Sequence, residues 1–408
     1  MNDVHTVMGP GEGPITRAAL AAEFRRRFDA EPRVFRAPGR VNLIGEHTDH
    51  NQGFVFPVTT GLHTWLAIAP REDGLVRAQS LDLPGEVRVD LSRAQEADAS
   101  GWGTYLRGVV LALQQEGCEL AGADLLLHGD IPLGAGLSSS ASLEVVVALG
   151  LLARAGASLS RARLAQVCQR AESEFVGVRC GIMDQFVIAC SVPGEAMLLD
   201  CRDLQHTGAL LPRAAHLVVI DSGVKHELRR GNNYNARRAD CARAVAALQA
   251  RWPFIESLRD ADMAHLESVR GRLDEDAWRR ARHVLGENDR VQEARRALET
   301  GDIVALGDLL LESHRSLRED YAVSCAELDE LVECARNTRG VLGARMVGAG
   351  FGGCVLALLD ARGFDTSMVD LLARAAVVRG RPLWHHVVSA AGPAGEIVAS
   401  DAATEVFA

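Results

Sequence analysis

A two-domain α+β protein is what this sequence predicts, and three observations carry the expectation. At 408 residues the chain is too long for one ordinary hydrophobic core. Short runs with apolar residues at alternate positions stand in its first part, and long amphipathic runs with charged faces in its second, so strands and helices are mixed. A stretch of low apolar periodicity from Asp200 to Pro212, which contains Gly208, divides the two. The expected domains are therefore 1–205 and 206–408.

The elements follow in order. Residues 1–14 are rich in Gly and Pro and are expected to fray. Ala18 to Phe28 has the spacing of an amphipathic helix. Thr64 to Ala69, Leu75 to Ser80 and Val87 to Leu91 alternate like strands of a half-exposed sheet. Trp102 to Gln115 reads as a helix and Asp124 to His128 as a strand. A glycine-rich loop then leads into a helix that starts near Ser140 and runs through Leu152. Arg161 to Val176 and Ile182 to Ala189 read as helices, and Ala196 to Leu199 as a strand. The second half opens with a buried strand, His216 to Ile220. Helices follow at Tyr234 to Arg251, Ala277 to Leu298, Ile303 to Ser316 and Cys325 to Asn337, their Arg/Glu faces read as solvated surface. Gly348 to Leu359 reads as a glycine turn and strand, Phe364 to Val378 as a helix, and Leu383 to Val388 as a closing strand.

Composition bounds the function. Hydrophobic residues make up 48%, ample for burial, and the formal charge of −10 argues against non-specific binding to nucleic acid or an anionic membrane. Nine scattered cysteines without a CxxC pair read as reduced, mostly buried thiols of a cytoplasmic protein. The N-terminal residues lack the pattern of a signal peptide. The longest apolar run, Leu143 to Ala153, is interrupted by Glu144 and Gly150 and is too short to span a bilayer.

Three glycine-bearing stretches and one isolated carboxylate carry the chemistry. Residues 36–58, RAPGRVNLIGEHTDHNQGFVFPV, set Arg40, Glu46, His47 and Asp49 beside Gly39, Gly45 and Pro38. Carboxylates accept from hydroxyls while arginine and histidine donate, so the group suits a small polyhydroxylated ligand. Residues 129–144, GDIPLGAGLSSSASLE, follow a strand with Gly134, Gly136 and three serines at a helix start. Glycines admit close backbone approach, and unpaired helix N–H groups favour phosphate. The loop has neither the Gly-Lys-Ser/Thr ending of a Walker loop nor a third glycine in dinucleotide spacing. The alternative is that Ser138 to Ser140 cap a core helix. Asp184 lies between Ile182-Met183 and Phe186-Val187, where a carboxylate needs a charged or hydrogen-bonding partner unless it caps a helix after Gly181. Residues 345–354, RMVGAGFGGC, form a backbone-contact loop or a tight hairpin. His47, Asp49 and His50 could be read as zinc ligands, but no second ligand cluster completes such a site.

These stretches, with GIMDQF at 181–186 and DSGVKHELRRGNNYNARRADCAR at 221–243, resemble the signatures of galactokinases, in the GHMP superfamily of small-molecule kinases. His314 to Leu317, Asp320-Tyr321, Ser324-Cys325 and Leu328 continue the resemblance, which runs from about Phe35 to Leu358. The resemblance implies a two-domain GHMP kinase fold. Its N-terminal domain is like the second domain of a small-subunit ribosomal protein, its C-terminal domain is ferredoxin-like, and the active site lies between them. It implies ATP-dependent phosphorylation of α-D-galactose at the C1 hydroxyl. Asp184 would accept or orient the hydroxyl proton, with Arg40 stabilising the transferring phosphoryl group. Glu46, His47, Thr48, Asp49, Gly181 and Tyr234 would read the sugar, with Glu46 on the C6 hydroxyl and Tyr234 near O4. Gly134, Ala135, Gly136, Leu137, Ser138, Ser139 and Ser140, with Ser80 and Trp102, would hold ATP. Ser140 and Glu172 would bind Mg²⁺, Glu174 being the local alternative to Glu172. The third glycine loop would buttress the phosphate loop. The implied partners are galactose and ATP, and the chain is expected to act as a monomer.

The sequence departs from the family pattern at Val347, where Thr is common, at Ala349, often Gly, and at His50, usually Tyr. Val347 removes a hydroxyl expected near the phosphates. His50 is expected to pack or to support its neighbours, and His226 receives no role. Two other readings stay open: a related sugar 1-kinase acting on N-acetylgalactosamine or L-arabinose, and a galactose sensor without turnover. The intact Ser140-Ala141 pair, Arg40 and Asp184 speak against the sensor.

Overall fold

The computed structural model describes residues 15–96, 100–225 and 231–398; the stretch expected to fray, 1–14, and His226 lie outside them. The first half comprises α1 (Arg17–Phe28), β1 (Arg33–Asn42), β2 (Phe54–Val55), β3 (Pro57–Pro70), β4 (Leu75–Ser80), β5 (Glu86–Asp90), α2 (Gly103–Gln115), β6 (Ala123–Gly129), α3 (Ser139–Arg154), α4 (Arg161–Arg170), α5 (Met183–Cys190), β7 (Glu195–Asp200) and β8 (His206–Leu210). The second comprises β9 (Ala215–Asp221), α6 (Gly231–Gln249), α7 (Met263–Ser268), α8 (Glu275–Thr300), α9 (Ile303–Ser316), α10 (Ala326–Arg336), β10 (Val341–Met346), β11 (Cys354–Asp360), α11 (Phe364–Arg379), β12 (His385–Val387) and β13 (Gly395–Glu396).

A six-stranded sheet, ordered β13-β1-β3-β6-β4-β5, organises the first half. Its side chains alternate between two apolar layers. Phe35, Ala37, Leu66, Ile68, Leu125 and Leu127 face α2 to α5, whereas Val34, Trp65, Ala67 and Leu126 face Leu20 and Phe24 of α1. The second half holds an antiparallel sheet ordered β10-β11-β9-β12. Val218, Ile220, Val355 and Ala357 of that sheet pack under the helices. Its other face, with Leu217, Val219, Leu356 and Leu358, meets Val41, Leu43, Ile44 and Val58 of the first half. Each such fully buried side chain contributes roughly 1.5–3 kcal/mol, so this shared cluster fixes one half against the other.

Four expectations change. The ligand motif at 36–58 contains a strand, β1, paired antiparallel with β3 from Arg33↔Ile68 to Asn42↔Pro57. The register shifts between Pro38 and Arg40. Proline cannot donate to a ladder, and a bulge bends the strand and re-aims the next side chain. Arg40 leaves that bulge with its backbone N–H on the Leu137 carbonyl at 3.1 Å. Second, the Asp200 to Pro212 break contains β8, which pairs with β7 through Leu199↔His206. Alternation is weak there because β8 is mostly exposed. The 205/206 division falls in that hairpin's turn, and the returning β13 pairs with β1. Third, the strand expected over Gly348 to Leu359 begins only at Cys354, and a partner strand, β10, precedes the glycine loop. Finally, the helix expected over Arg161 to Val176 is α4 followed by one turn of π-helix, Ala171–Val176; a second π turn, Leu317–Tyr321, follows α9. Such turns recur at functional sites, and these carry Glu172 and Tyr321.

Candidate active site

A cavity of about 1020 Å³ lies between the halves. Its lining includes Arg40, Glu46, His47, Asp49, Gly181, Asp184 and Tyr234, together with Gly134, Gly136, the three serines and Glu172, and with Ser80, Trp102 and Tyr105.

Arg40 stands where the motifs meet. Its Nε and Nη2 donate to the two Asp184 carboxylate oxygens, each at 2.7 Å, and Nη1 donates to the Gly136 carbonyl at 2.7 Å. This fork-to-fork pairing is the strong form of an Arg–carboxylate contact. Burial works against the Arg40 charge, but Asp184, Glu46 and Asp49 outweigh it and raise its pKa. Ser138 precedes α3 in a left-handed conformation with φ of 59° and makes no side-chain cap. Its hydroxyl donates to Asp184 Oδ2 instead. The helix-cap alternatives therefore fail at both residues: Asp184 is held by side chains, and Ser138 is turned toward it.

The residues that follow β1 make buried polar contacts. Glu46 is 2% exposed. Its Oε1 accepts from the Gly348 N–H at 2.8 Å and pairs with Arg345 at 3.1 Å, and its Oε2 accepts from Asn42 at 3.0 Å. Burial raises the Glu46 pKa despite Arg345 and Arg40. His47 stacks on Tyr321 with centroids 4.4 Å apart, and its Nε2 is buried without a hydrogen-bond partner. Burial, with His50 and His283, pushes the His47 pKa well down. Asp49 is held down as well: burial would raise it, but the hydrogen bond from the His50 side chain keeps it below the usual range. Gly181 admits no side chain, because a Cβ there would stand 2.0 Å from Asp49 Oδ2.

Ser139 and Ser140, at the start of α3, line the cavity where the first N–H groups of the helix have no side-chain cap. The Ser140 hydroxyl hydrogen-bonds the Glu172 carboxylate, and burial together with Asp184 pushes Glu172 up to about 6. Glu174, two residues on, is exposed. Gln185 donates to Glu172 at 2.7 Å and to the fully buried Glu144 at 2.9 Å. The third glycine loop lies backbone to backbone on the phosphate loop: the Cys354 N–H donates to the Ala135 carbonyl at 3.1 Å, and a Cβ on Gly348 would stand 3.0 Å from the Gly136 oxygen. Val347 is fully buried in the apolar cluster shared by the halves and also borders the cavity.

Four expected ligand residues turn elsewhere. The Thr48 hydroxyl is spent on the Gly45 and Phe54 carbonyls at 2.8 and 2.5 Å, bracing the loop from within. Ala135 and Leu137 bury their side chains in the shared cluster and do not line the cavity. Ser80 lines the wall, but its hydroxyl accepts from the Asp82 and Leu83 N–H groups at 3.1 and 3.2 Å. Sequence reasoning assigned no site role to Glu144, Gln185, Arg345 or Tyr321. The available signal was a charged or polar residue inside an apolar run: Glu144 breaks one in α3, and Arg345 follows Val341-Leu342.

One wall of the cavity holds a histidine between two carboxylates. His128 bridges Asp82 at 2.8 Å and Asp130 at 3.1 Å. Burial lowers its pKa, but those two carboxylates outweigh burial and raise it to about 9. A histidine whose folded pKa exceeds the unfolded value of about 6.5 gives its full stabilisation below that value and loses it as pH rises through the folded pKa. The melting temperature should therefore fall between pH 7 and 10, and His128→Asn should flatten that fall; parallel curves would contradict this pairing.

A backbone phosphate loop, a helix N-terminus and a third glycine loop set between two α+β halves define a GHMP-type small-molecule kinase. Family models agree: residues 104–192 match the GHMP kinases N terminal domain and 294–364 the GHMP kinases C terminal domain. Residues 22–70 match the galactokinase galactose-binding signature. Among curated relatives, a galactokinase of Chloroflexus aggregans is 43% identical over 94% of this chain and 98% of its own length, and the Homo sapiens galactokinase is 44% identical over 84% and 89%. The crystal structure of Lactococcus lactis galactokinase complexed with galactose superposes with a TM-score of 0.88, at 35% identity, over 93% of this chain and 99% of that one. A Methanococcus jannaschii mevalonate kinase, 17% identical, covers 89% of this chain and 99% of its own with a TM-score of 0.63, a likeness of fold alone. The chain belongs to the galactokinase family. Like other GHMP kinases, it takes ATP as phosphate donor.

Proposed function

We propose that the protein transfers the γ-phosphoryl group of ATP to the C1 hydroxyl of α-D-galactose, giving galactose 1-phosphate and ADP. The observation that carries this reading is the Arg40 fork, which holds Asp184 and the phosphate loop in one hydrogen-bonded unit. Phosphoryl transfer needs alignment and charge neutralisation more than covalent chemistry. Asp184 takes or orients the C1 hydroxyl proton, and Arg40 stabilises charge on the transferring group. Glu46, His47, Asp49 and Tyr234 read the hydroxyls; the unpartnered His47 Nε2 is an atom that a sugar oxygen would satisfy. Gly134, Gly136 and Ser138 to Ser140 receive the phosphates, and Trp102, which lines the same cavity, contacts the nucleotide. Such donors and acceptors reject an epimer because a misplaced hydroxyl leaves buried groups unpaired.

The residues present fit Mg²⁺. Ser140 and Glu172 offer hard oxygen donors at the cavity, and Asp184 lines the same cavity. Bound there, Mg²⁺ supplies neutralisation of phosphate charge. Glu172→Gln should raise the Mg²⁺ concentration needed for half-maximal nucleotide binding by about tenfold or more, with galactose affinity unchanged. Unchanged Mg²⁺ dependence in that variant would remove Glu172 from the metal site.

The test of the function is ADP release with MgATP against galactose, glucose, N-acetylgalactosamine, L-arabinose and no sugar. Strong dependence on galactose supports the proposal. Turnover with another sugar alone moves the specificity and keeps the kinase. Sugar and ATP binding without turnover returns the sensor reading.

A further inference from the structure

His50 is buried, with 1% of its side chain exposed, and both ring nitrogens are engaged. Nδ1 faces Asp49 Oδ1 at 3.2 Å and the Tyr234 hydroxyl at 3.1 Å, and Nε2 faces the Tyr321 hydroxyl at 3.1 Å. The proton positions follow from what these neighbours can do. An ionised carboxylate only accepts, so a bare Nδ1 lone pair would face an acceptor across 3.2 Å. The tautomer with its proton on Nδ1 removes that conflict. That proton is shared between the Asp49 and Tyr234 oxygens, and Nε2 accepts from the Tyr321 O–H. The Tyr321 oxygen has a further neighbour in the Cys241 thiol at 3.8 Å. The Tyr234 oxygen, already accepting from Nδ1, has its own O–H proton free to point into the cavity. Asp49 Oδ1 is held by Nδ1 and by the His50 backbone N–H at 2.9 Å, which leaves Oδ2 on the Gly181 side.

We propose that His50 is a positioning residue that sets the hydrogen-bond polarity of the sugar pocket, making Tyr234 a donor and Asp49 an acceptor toward two different sugar hydroxyls. The inference rests on the proposed function for the identity of the sugar. It concerns one of the three positions where this sequence departs from the family pattern. The chain Tyr321–His50–Tyr234 fixes the direction of each hydrogen bond, so the pocket prefers a ligand whose hydroxyls match that direction.

The test is a double-substitution cycle on the whole protein, read by calorimetric galactose affinity and by KM for galactose and ATP. His50→Phe keeps a ring and removes both nitrogens. Tyr321→Phe keeps the stack on His47 and removes only the donor to Nε2, so it answers the question even where His50→Phe folds poorly. Each should weaken galactose binding by about tenfold, the size of one lost hydrogen bond, with the KM for ATP within about twofold. Tyr234→Phe should cost little more in the His50→Phe background than on its own, because the two residues act as a unit. Galactose affinity within twofold of the native protein in both single variants would overturn the proposal. So would multiplying effects of His50→Phe and Tyr234→Phe, or an equal loss of ATP and galactose affinity. If the native protein binds a sugar other than galactose, the cycle run on that sugar still decides the role of His50, while the proposed function alone fails.

Discussion

Replacing Asp184 with Asn is expected to lower kcat by roughly 10²–10⁴-fold, the span of a positioned general base, while the nucleotide Kd stays within about threefold of the native value. The amide keeps the shape of the carboxylate but loses its charge. Its oxygen can accept one of the two Arg40 N–H groups, and its NH₂ then meets the other donor. The Ser138 hydroxyl faces the same pair. The phosphate loop keeps its backbone bond from the Cys354 N–H to the Ala135 carbonyl at 3.1 Å without Asp184, so nucleotide binding should survive. Stopped-flow turnover with parallel nucleotide titration checks the result; near-native kcat would remove Asp184 from the chemistry.

Arg40→Met should do more, because Arg40 ties three parts together. Its removal leaves Asp184 with Ser138 but no cation on its two oxygens and takes a donor from the Gly136 carbonyl, so only the backbone bond from residue 40 to the Leu137 carbonyl still ties the phosphate loop to the sugar loop at this point. The expected outcome is a kcat loss of about 10³-fold or more, a raised KM for ATP, and a stability loss of up to about 3–5 kcal/mol for breaking a buried pair. Arg40→Lys should recover part of the stability and little of the rate, since an ammonium cannot make the bidentate contact. Rate measurements beside thermal melts separate the two effects. A methionine variant within tenfold of native kcat would show that Arg40 is structural only.

The glycine loops and Asp184 were legible in the sequence because their signals are local. A glycine between apolar segments announces close backbone approach, and a carboxylate in an apolar run announces a partner. Which partner was legible only through family resemblance, since Arg40 and Asp184 are 144 residues apart. Side-chain direction within a loop was not legible at all. Thr48 lies between two residues that face the cavity, yet turns to the Gly45 and Phe54 carbonyls. Ala135 and Leu137 alternate with Gly134, Gly136 and Ser138, and turn into the core. The π turns that deliver Glu172 and Tyr321 carry no pattern separable from ordinary helix in a single sequence. Glu144 was read as an interruption of an apolar helix, and only the fold shows its shared Gln185 contact with Glu172.

The central claim is phosphoryl transfer to the anomeric hydroxyl of galactose, and the regiochemistry of the product tests it most directly. Purified protein incubated with MgATP and galactose should give a single sugar phosphate whose phosphorus couples to the anomeric proton in NMR. A product phosphorylated at C6 or another hydroxyl, or ADP formed without any sugar phosphate, would contradict the roles given to Asp184 and Arg40.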